Sequence, residues 1–390
     1  MLKKVFLLLI GGIMLHAATY GQSGAILGQD SSRRPIVTAV PFLSIAPDSR
    51  SSGMGDAGGA LSADANATYW NPAKLVFADK QMGFSLSFSP WLARIVDDMW
   101  LAYLSGYRKI DDQQVFGASL RYFDLGSITF TNDQGGTIQV VDPREFAVDV
   151  SYARKLSNRF AMSVAGRFIY SNLSGNLNCA GCQTSPGATA AIDIGTFYEN
   201  DEFSISSYPS TLRLGATITN LGPKLTYTDD NSRDFLPTNL RLSSSVTSEI
   251  DGFNKLTLAL DINKLLVPSP PQYDDAGNII AGDDPSDKSL LSGVLGSFSD
   301  APDGFQEELR ELMFSIGAEY WYNDLLALRA GYFNEHRLKG ARQYFTVGLG
   351  FKYTKFAVDF SYLIATTQNH PLENTLRFTI MMNIDQQEAE

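Results

Sequence analysis

Histidine and cysteine are nearly missing from this sequence, with three and two residues among 390. Cys179 and Cys182, in "NCAGC", would need two more ligands to hold zinc, and His336 and His370 are the only histidines beyond the first twenty positions. A loop disulfide, a redox pair and two unpaired thiols are the readings left for them. A Ser-His-Asp set is not supported either, and no paired carboxylates mark a catalytic cleft, so no enzyme activity and no cofactor is expected. Positive charge is in short supply: 31 Lys and Arg face 42 Asp and Glu, a net charge of −11. That excludes nucleic acid as a partner, because its phosphates demand clustered basic residues. Beyond the N-terminus no stretch reaches the roughly 18 apolar residues of a membrane helix, so any insertion into a bilayer has to use strands.

The N-terminus does carry a short apolar run. Lys3 and Lys4 precede it over residues 5–15, and small residues follow through Gly21. This is the pattern of a secretory signal peptide over 1–21, with the mature chain starting near Gln22. No cysteine follows it, so a lipid anchor at a new N-terminus is excluded.

From about residue 82 onward the chain alternates apolar and polar residues with period two, which is how strands with one apolar face read. Leu376, Phe378, Ile380 and Met382 share one face and Arg377, Thr379 and Asn383 the other; Phe356, Val358, Phe360 and Tyr362 stand likewise against Ala357, Asp359 and Ser361. Segments of this kind fall at 83–91, 98–108, 114–124, 144–155, 159–171, 188–198, 211–220, 238–248, 255–263, 312–321, 325–333, 343–353, 355–365 and 374–384, fourteen in all. Each is long enough to cross a bilayer as a tilted strand. The connections alternate in length: "KIDDQ", "SNR", "EIDGFN", "YND" and "T" on one side, residues 125–143, 172–187, 221–237 and 264–311 on the other. Short periplasmic turns and long external loops have this arrangement in outer-membrane barrels, where "ENDEFSISSYPS" would be one overlong turn. The expected fold is all-β, a transmembrane antiparallel barrel of fourteen strands in the outer membrane.

The polar face carries Arg121, Asp149, Arg167, Asp193, Arg213, Arg241, Asp261, Glu319, Arg329, Lys352, Asp359 and Arg377. Charges so evenly split cannot face lipid, so they are expected to point into the lumen, as an ionic lattice or as a selectivity or ligand site. The longest loop opens Pro-, Gly- and Asp-rich, then reads "SLLSGVLGSF", apolar for an exposed segment, suggesting packing over the barrel mouth or contact with a partner. "GFQEELREL" follows as a short helix capped by Asp303. Acidic stretches such as "TDDNSRD" read as solvated loops.

One motif invites a different reading. In "SRSSGMGDAGGALSADANATYWNPAKL", residues 49–75, Gly53, Gly55 and Gly58 spell G-x-G-x-x-G. A dinucleotide loop needs a strand directly before it and a helix after. Here "APDSRSS" precedes, and the P-loop Lys-Ser/Thr pair is absent, so nucleotide binding is excluded. Some 60 residues of this Gly- and Ala-rich character before the first strand suit a lumen plug instead, with the glycines as its flexible half and "WNPA" as its anchored end. Trp70 would wedge it into the wall and the Asn-Pro pair would turn the chain, or these residues would meet a ligand.

The same stretch resembles the N-terminal hatch motif of the FadL family of fourteen-stranded outer-membrane barrels, whose Gly/Ala-rich run ends in Asn-Pro-Ala, here Asn71, Pro72 and Ala73. Residues 39–58, "AVPFLSIAPDSRSSGMGDAG", are similar more narrowly to the PorV branch of that family, the outer-membrane component of the type IX secretion system of Bacteroidota. The resemblance implies a shuttle that takes secreted cargo from an outer-membrane translocon subunit, binds the cargo's C-terminal signal domain externally and presents it to a sortase-like attachment complex. The alternative it leaves is a FadL-type channel for hydrophobic small molecules. The expected layout is a signal peptide (1–21), an extension with hatch (22–82), a lipid-embedded barrel (83–384) with its long loop (264–311), and a periplasmic tail (385–390).

Overall fold

A computed structural model describes residues 33–385 except 133, 174–177, 180–181, 184, 228–232, 275 and 368–369, with the backbone alone at 178–179 and 182–183. The expected leader and the tail from 386 lie outside the described residues.

Fourteen antiparallel strands close into one barrel. In chain order they are β1 Met82–Pro90, β2 Trp100–Lys109, β3 Gln114–Asp124, β4 Arg144–Ser157, β5 Phe160–Asn172, β6 Gly187–Ile205 and β7 Tyr208–Leu221. The second half is β8 Asn239–Glu249, β9 Asn254–Leu265, β10 Leu312–Tyr322, β11 Leu326–Asn334, β12 Gln343–Tyr353, β13 Phe356–Ala365 and β14 Leu376–Ile384. Each strand pairs with its neighbour in sequence, and β1 pairs with β14 from Met82↔Ile384 to Phe88↔Phe378, so no edge is left open. The period-two pattern is the cause: on β14 Phe378 and Ile380 are 46% and 54% exposed on the outer face while Arg377 and Thr379 are buried. Among the described residues no helix is long and apolar enough to cross a membrane.

The expected strands match within two residues at every end but two. "ENDEFSISSYPS" is not a turn. It extends β6 to 19 residues and starts β7 early, the chain reversing at Ser206, whose φ is 56°. At about 3.3 Å per residue β6 is about 60 Å long, twice the roughly 30 Å of hydrocarbon. Its last third therefore needs no apolar outer face, which hid it from a pattern search. The opposite end of the barrel carries hairpins in its loops, Ile128–Thr131 with Thr137–Val141 and Gln272–Tyr273 with Ile279–Ala281.

The segment before β1 fills the lumen. It runs through 3₁₀ turns at Pro41–Ser44 and Pro72–Phe77 and the single-turn helices α1 (Ser49–Ser52) and α2 (Ala67–Trp70), all residues of both helices being buried. Its apolar residues share most of the apolar clusters with the inner wall, while Met313, Phe333, Tyr344 and Leu363 form one from the wall alone. Ala67, Ala73, Leu75 and Val76 meet Tyr107, Val115, Ala153, Ala161 and Phe197, and Val40, Phe42 and Leu43 meet Leu101, Phe123, Ala147 and Ile169.

Candidate functional site: a sealed lumen under an enlarged external face

The glycines at the head of the plug are fixed rather than flexible. A Cβ on Gly55, which sits at φ +69°, would lie 2.5 Å from the Tyr332 backbone nitrogen, and one on Gly58 would lie 2.2 Å from the Trp70 ring. The wall answers with glycines of its own. Gly317 on β10 and Gly331 on β11 would each drive a Cβ into the backbone of Met54 or Gly55, and the Cα of Gly348 on β12 is 3.1 Å from the Cβ site of Gly53. Plug and wall thus touch backbone to backbone. The amides that a phosphate would need are taken: Gly58 and Gly59 both donate to Oδ2 of Asp261, at 3.0 and 2.9 Å, and Gly55 donates to Thr346 Oγ1.

The "WNPA" end is tied to plug and wall by hydrogen bonds. Trp70 is 2% exposed, and its Nε1 donates to Asp48 Oδ1 at 2.6 Å. Asn71 caps the following 3₁₀ turn by accepting from the Ala73 amide and ties it to the wall by donating to the Thr196 carbonyl. Pro72 takes the first position of that turn, where no N–H is needed, and Ala73 is fully buried. Asp48, which also caps α1 through Ser51, has its carboxyl pushed up by burial; Lys74, donating to the Gly58 carbonyl at 2.7 Å, is pushed down to about 8 by the same cause.

The wall charges point inward and form three clusters around this plug. In the first, Glu319 accepts from Arg50 of the plug at 3.0 and 2.9 Å and from Arg329 at 2.7 Å, Arg329 continues to Asp359, and Arg50 also reaches Asp64. In the second, Arg167 bridges Asp149 and Asp193 and also meets Asn220. In the third, Arg241 lies over the Trp70 ring at 4.6 Å, donates to Asn263 and Trp70 carbonyl oxygens, and has Asp261 at 3.9 Å. Arg213 pairs with Glu199 towards the short-turn end. Arg121 and Arg377 differ. Among the described residues neither has a carboxylate within 4 Å; Arg121 donates to the Leu43 carbonyl under the Tyr69 ring, and Arg377 faces Trp91. Lys352 does not belong to the lumen set, since it is exposed at the end of β12. In the three clusters pairing is what makes burial of the ions tolerable, since an unpaired buried ion costs several kcal/mol, whereas Arg121 rests on a carbonyl oxygen and two aromatic faces. A polar cavity of about 80 Å³ lies beside Tyr69, Trp70, Arg167, Arg241, Arg342 and Tyr344, and a larger one of about 240 Å³ lies beside Val37, Phe235, Val267, Pro271 and Tyr273 under the long loop.

The external end is built differently. The longest loop, 266–311, stands on a buried ionic stem: Lys264 binds Glu308 and Glu311, Lys339 binds Glu307 and Glu311, and Arg34 binds Glu307 and Asp303. Burial pushes the Glu307 carboxyl up, but the hydrogen bond from Lys339 and the pull of both cations hold it below its usual value. The expected helix forms as Phe305–Arg310, but Asp303 does not cap it. Gly304 occupies the cap with no side-chain bond, and Asp303 is engaged by Arg34 and by Gln272. The apolar stretch "SLLSGVLGSF" forms a further helix, Leu290–Gly296, capped by Ser289. It packs on Gly293, against Phe235 and Pro268, and leaves Leu291 and Leu295 outside. Cys179 and Cys182 are backbone partners in a small external hairpin, their side chains lying outside the described residues.

Sequence reasoning missed Asp48, Arg50 and Lys74 of the plug and the stem residues Lys264, Glu307, Glu308, Glu311 and Lys339. For the stem a signal existed in Glu307 and Glu308 on one short helix with Glu311 at its C-terminal end; for the plug none did, because an aperiodic segment gives no face on which to place a charge.

The fold is shared with known proteins. The toluene transporter TodX of Pseudomonas putida aligns at a TM-score of 0.50 and 12% identity, covering 90% of this chain and 98% of its own. The CymD monoaromatic hydrocarbon channel aligns at 0.50 and 12%, covering 87% and 98%, and the Ralstonia pickettii toluene transporter TbuX at 0.49 and 14%, covering 86% and 98%. At such identities the likeness of the two that reach 0.50 speaks for the fold alone. No curated protein matches the sequence. The family model "Type IX secretion system protein PorV" matches residues 28–272, well over half of the chain. Barrel, filled lumen and this match together place the chain in the outer membrane, and it belongs to the PorV family of type IX secretion system proteins.

Proposed function

We propose that this protein binds the C-terminal signal domain of secreted proteins on its external side as they leave the translocon, and carries them to a sortase-like attachment complex. The observation that carries the reading is the contrast between the two ends of the lumen. The interior is filled by a plug held through ion pairs and backbone contact, while the external face is enlarged by a loop of 46 residues, 266–311, seated on its own ionic stem. A barrel so filled acts through its outer face. The FadL-type channel reading has the fold in its favour, TodX being a toluene transporter. Against it stands the plug, seated backbone to backbone on Gly317 and Gly331 and paired through Arg50 to Glu319, across the path a solute would take down the lumen. The test is deletion of residues 272–299, which spares the stem. Secreted proteins should no longer co-purify with the barrel, while the barrel keeps its heat-modifiable migration. Undiminished co-purification would remove the loop from the reading, and uptake of toluene by vesicles holding the purified protein would favour the channel.

A further inference from the structure

The long loop carries an apolar stripe inside an acidic field. On the helix Leu290–Gly296 and its extension, Leu291, Leu295 and Phe298 follow one another at i, i+4 and i+7, the spacing of a single helix face, and are 66%, 73% and 50% exposed. The opposite face, Gly293 and Ser297, is the buried one. The stripe is therefore the solvent side of a docked helix, on which apolar residues serve no internal packing. It adjoins the second loop helix, because the Lys264 ammonium that binds Glu308 and Glu311 also lies 6.0 Å from the Phe298 ring; Phe305 and Leu309 of that helix are exposed too.

The surroundings say what could cover the stripe. Residues 272–303 contain seven Asp and one Lys, and no Arg. That lysine, Lys288, is held by Asp283 and Asp300, and Lys224 reaches in to the Pro285 and Ser286 carbonyls beside Asp284 and Asp287, so the acids keep the majority, with Asp274 and Asp287 exposed and outside the described ion pairs. A bilayer surface of anionic headgroups is repelled by such a field. A protein surface with an apolar centre and a basic rim is attracted, and its encounter is steered.

Resting on the cargo-binding reading above, we propose that Leu291, Leu295 and Phe298 are the docking centre for a basic, apolar-centred surface of the cargo's signal domain, with Asp274, Asp283, Asp284 and Asp287 as its electrostatic rim. The stem fixes the helix in place, and the stripe is presented without a further folding step.

The test uses the full-length protein in nanodiscs and a purified C-terminal signal domain of a secreted protein from the same cell, followed by interferometry. Raising NaCl from about 50 to about 300 mM should weaken binding by about fivefold or more, mostly through the association rate. D283N/D284N/D287N should flatten that dependence, and L291S/L295S should weaken binding about tenfold or more at either salt concentration, as loss of a central apolar anchor does. Since both sets of substitutions lie on a loop, unchanged heat-modifiability of the barrel will show that the variants are folded. Signal-domain binding that is indifferent to salt and to both variants overturns this inference and leaves the cargo reading standing. Absence of wild-type binding overturns both. If L291S/L295S instead leaves signal-domain affinity unchanged and lowers attachment of the loop to vesicles containing lipopolysaccharide, the stripe is a lipid contact and the inference falls.

Discussion

Removing Glu319 should unseat the plug while leaving the barrel standing. Its carboxylate is 1% exposed and accepts three charge-assisted hydrogen bonds, two from Arg50 on the plug and one from Arg329 on β11. Breaking a buried ion pair from one side costs about 3–5 kcal/mol. Here Arg329 keeps Asp359 and Arg50 keeps Asp64, so the lower end applies. About 3 kcal/mol is a factor of about a hundred in the opening equilibrium of the plug. Ser52, on α1 and fully buried, is a reporter: S52C in a C179S/C182S background reacts with a maleimide when the plug leaves its seat. E319A should raise the labelling rate about a hundredfold with the barrel still heat-modifiable. R50A should also raise it, and R50A/E319A should fall short of the product of the single effects by at least tenfold, because removing both partners leaves no stranded charge between them. A rate changed less than threefold by E319A, or a double variant equal to that product, would refute the view that this pair seats the plug.

G331A should be worse, since the new methyl carbon would sit 2.1 Å from the Met54 carbonyl carbon and the Gly55 nitrogen, backbone that cannot swing aside; a loss of at least about 3 kcal/mol in plug seating is expected in the same labelling assay, against none for G166A, which meets open space. Lys74 should make the plug tighter in alkali. Burial lowers its ammonium from the usual 10.5 to about 8, so between about pH 8 and 10.5 the unfolded chain holds the proton that the folded chain has released, and stability rises with pH across that window. Apparent melting by heat-modifiability should rise over this range in the wild type and less in K74M; identical slopes would refute it. Cys179 and Cys182 stand opposite each other across one antiparallel pair, within the Cα separation a disulfide spans. Alkylation without reduction is expected to add no mass at either, and two additions per chain would remove the bridge.

Most of the wall was legible because a membrane strand writes its environment into every second residue. Ile380 and Thr379 differ in exposure for the same reason that they differ in chemistry. The inward charges were legible too, as ions that lipid would not tolerate, although their partners were not. Glu319 reads as one more lumen acid until Arg50 arrives from 269 residues away. The pattern failed where its cause stops acting. Beyond Tyr198 the β6–β7 hairpin loses the alternation and mixes charge with Phe203 and Ile205, so it reads as a loop although it is paired through Ile205↔Tyr208. The plug glycines were visible but misread as slack. The signal that corrects them sits elsewhere in the sequence, in Gly317, Gly331 and Gly348 at inward positions where other strands place Ser, Thr or charged residues. Neither set explains itself without the other.

The backbone seam between Gly53, Gly55 and those wall glycines bears on how the molecule is made. A cork can be pushed into a finished bottle, but this insert carries Arg50, Asp48 and Lys74 into sites walled on every side, with main chain against main chain and no side chain that could yield to let it pass. The seam leaves no slack for threading the insert through a closed hoop, so the residues that seal the lumen also fix the shape to which the wall must close.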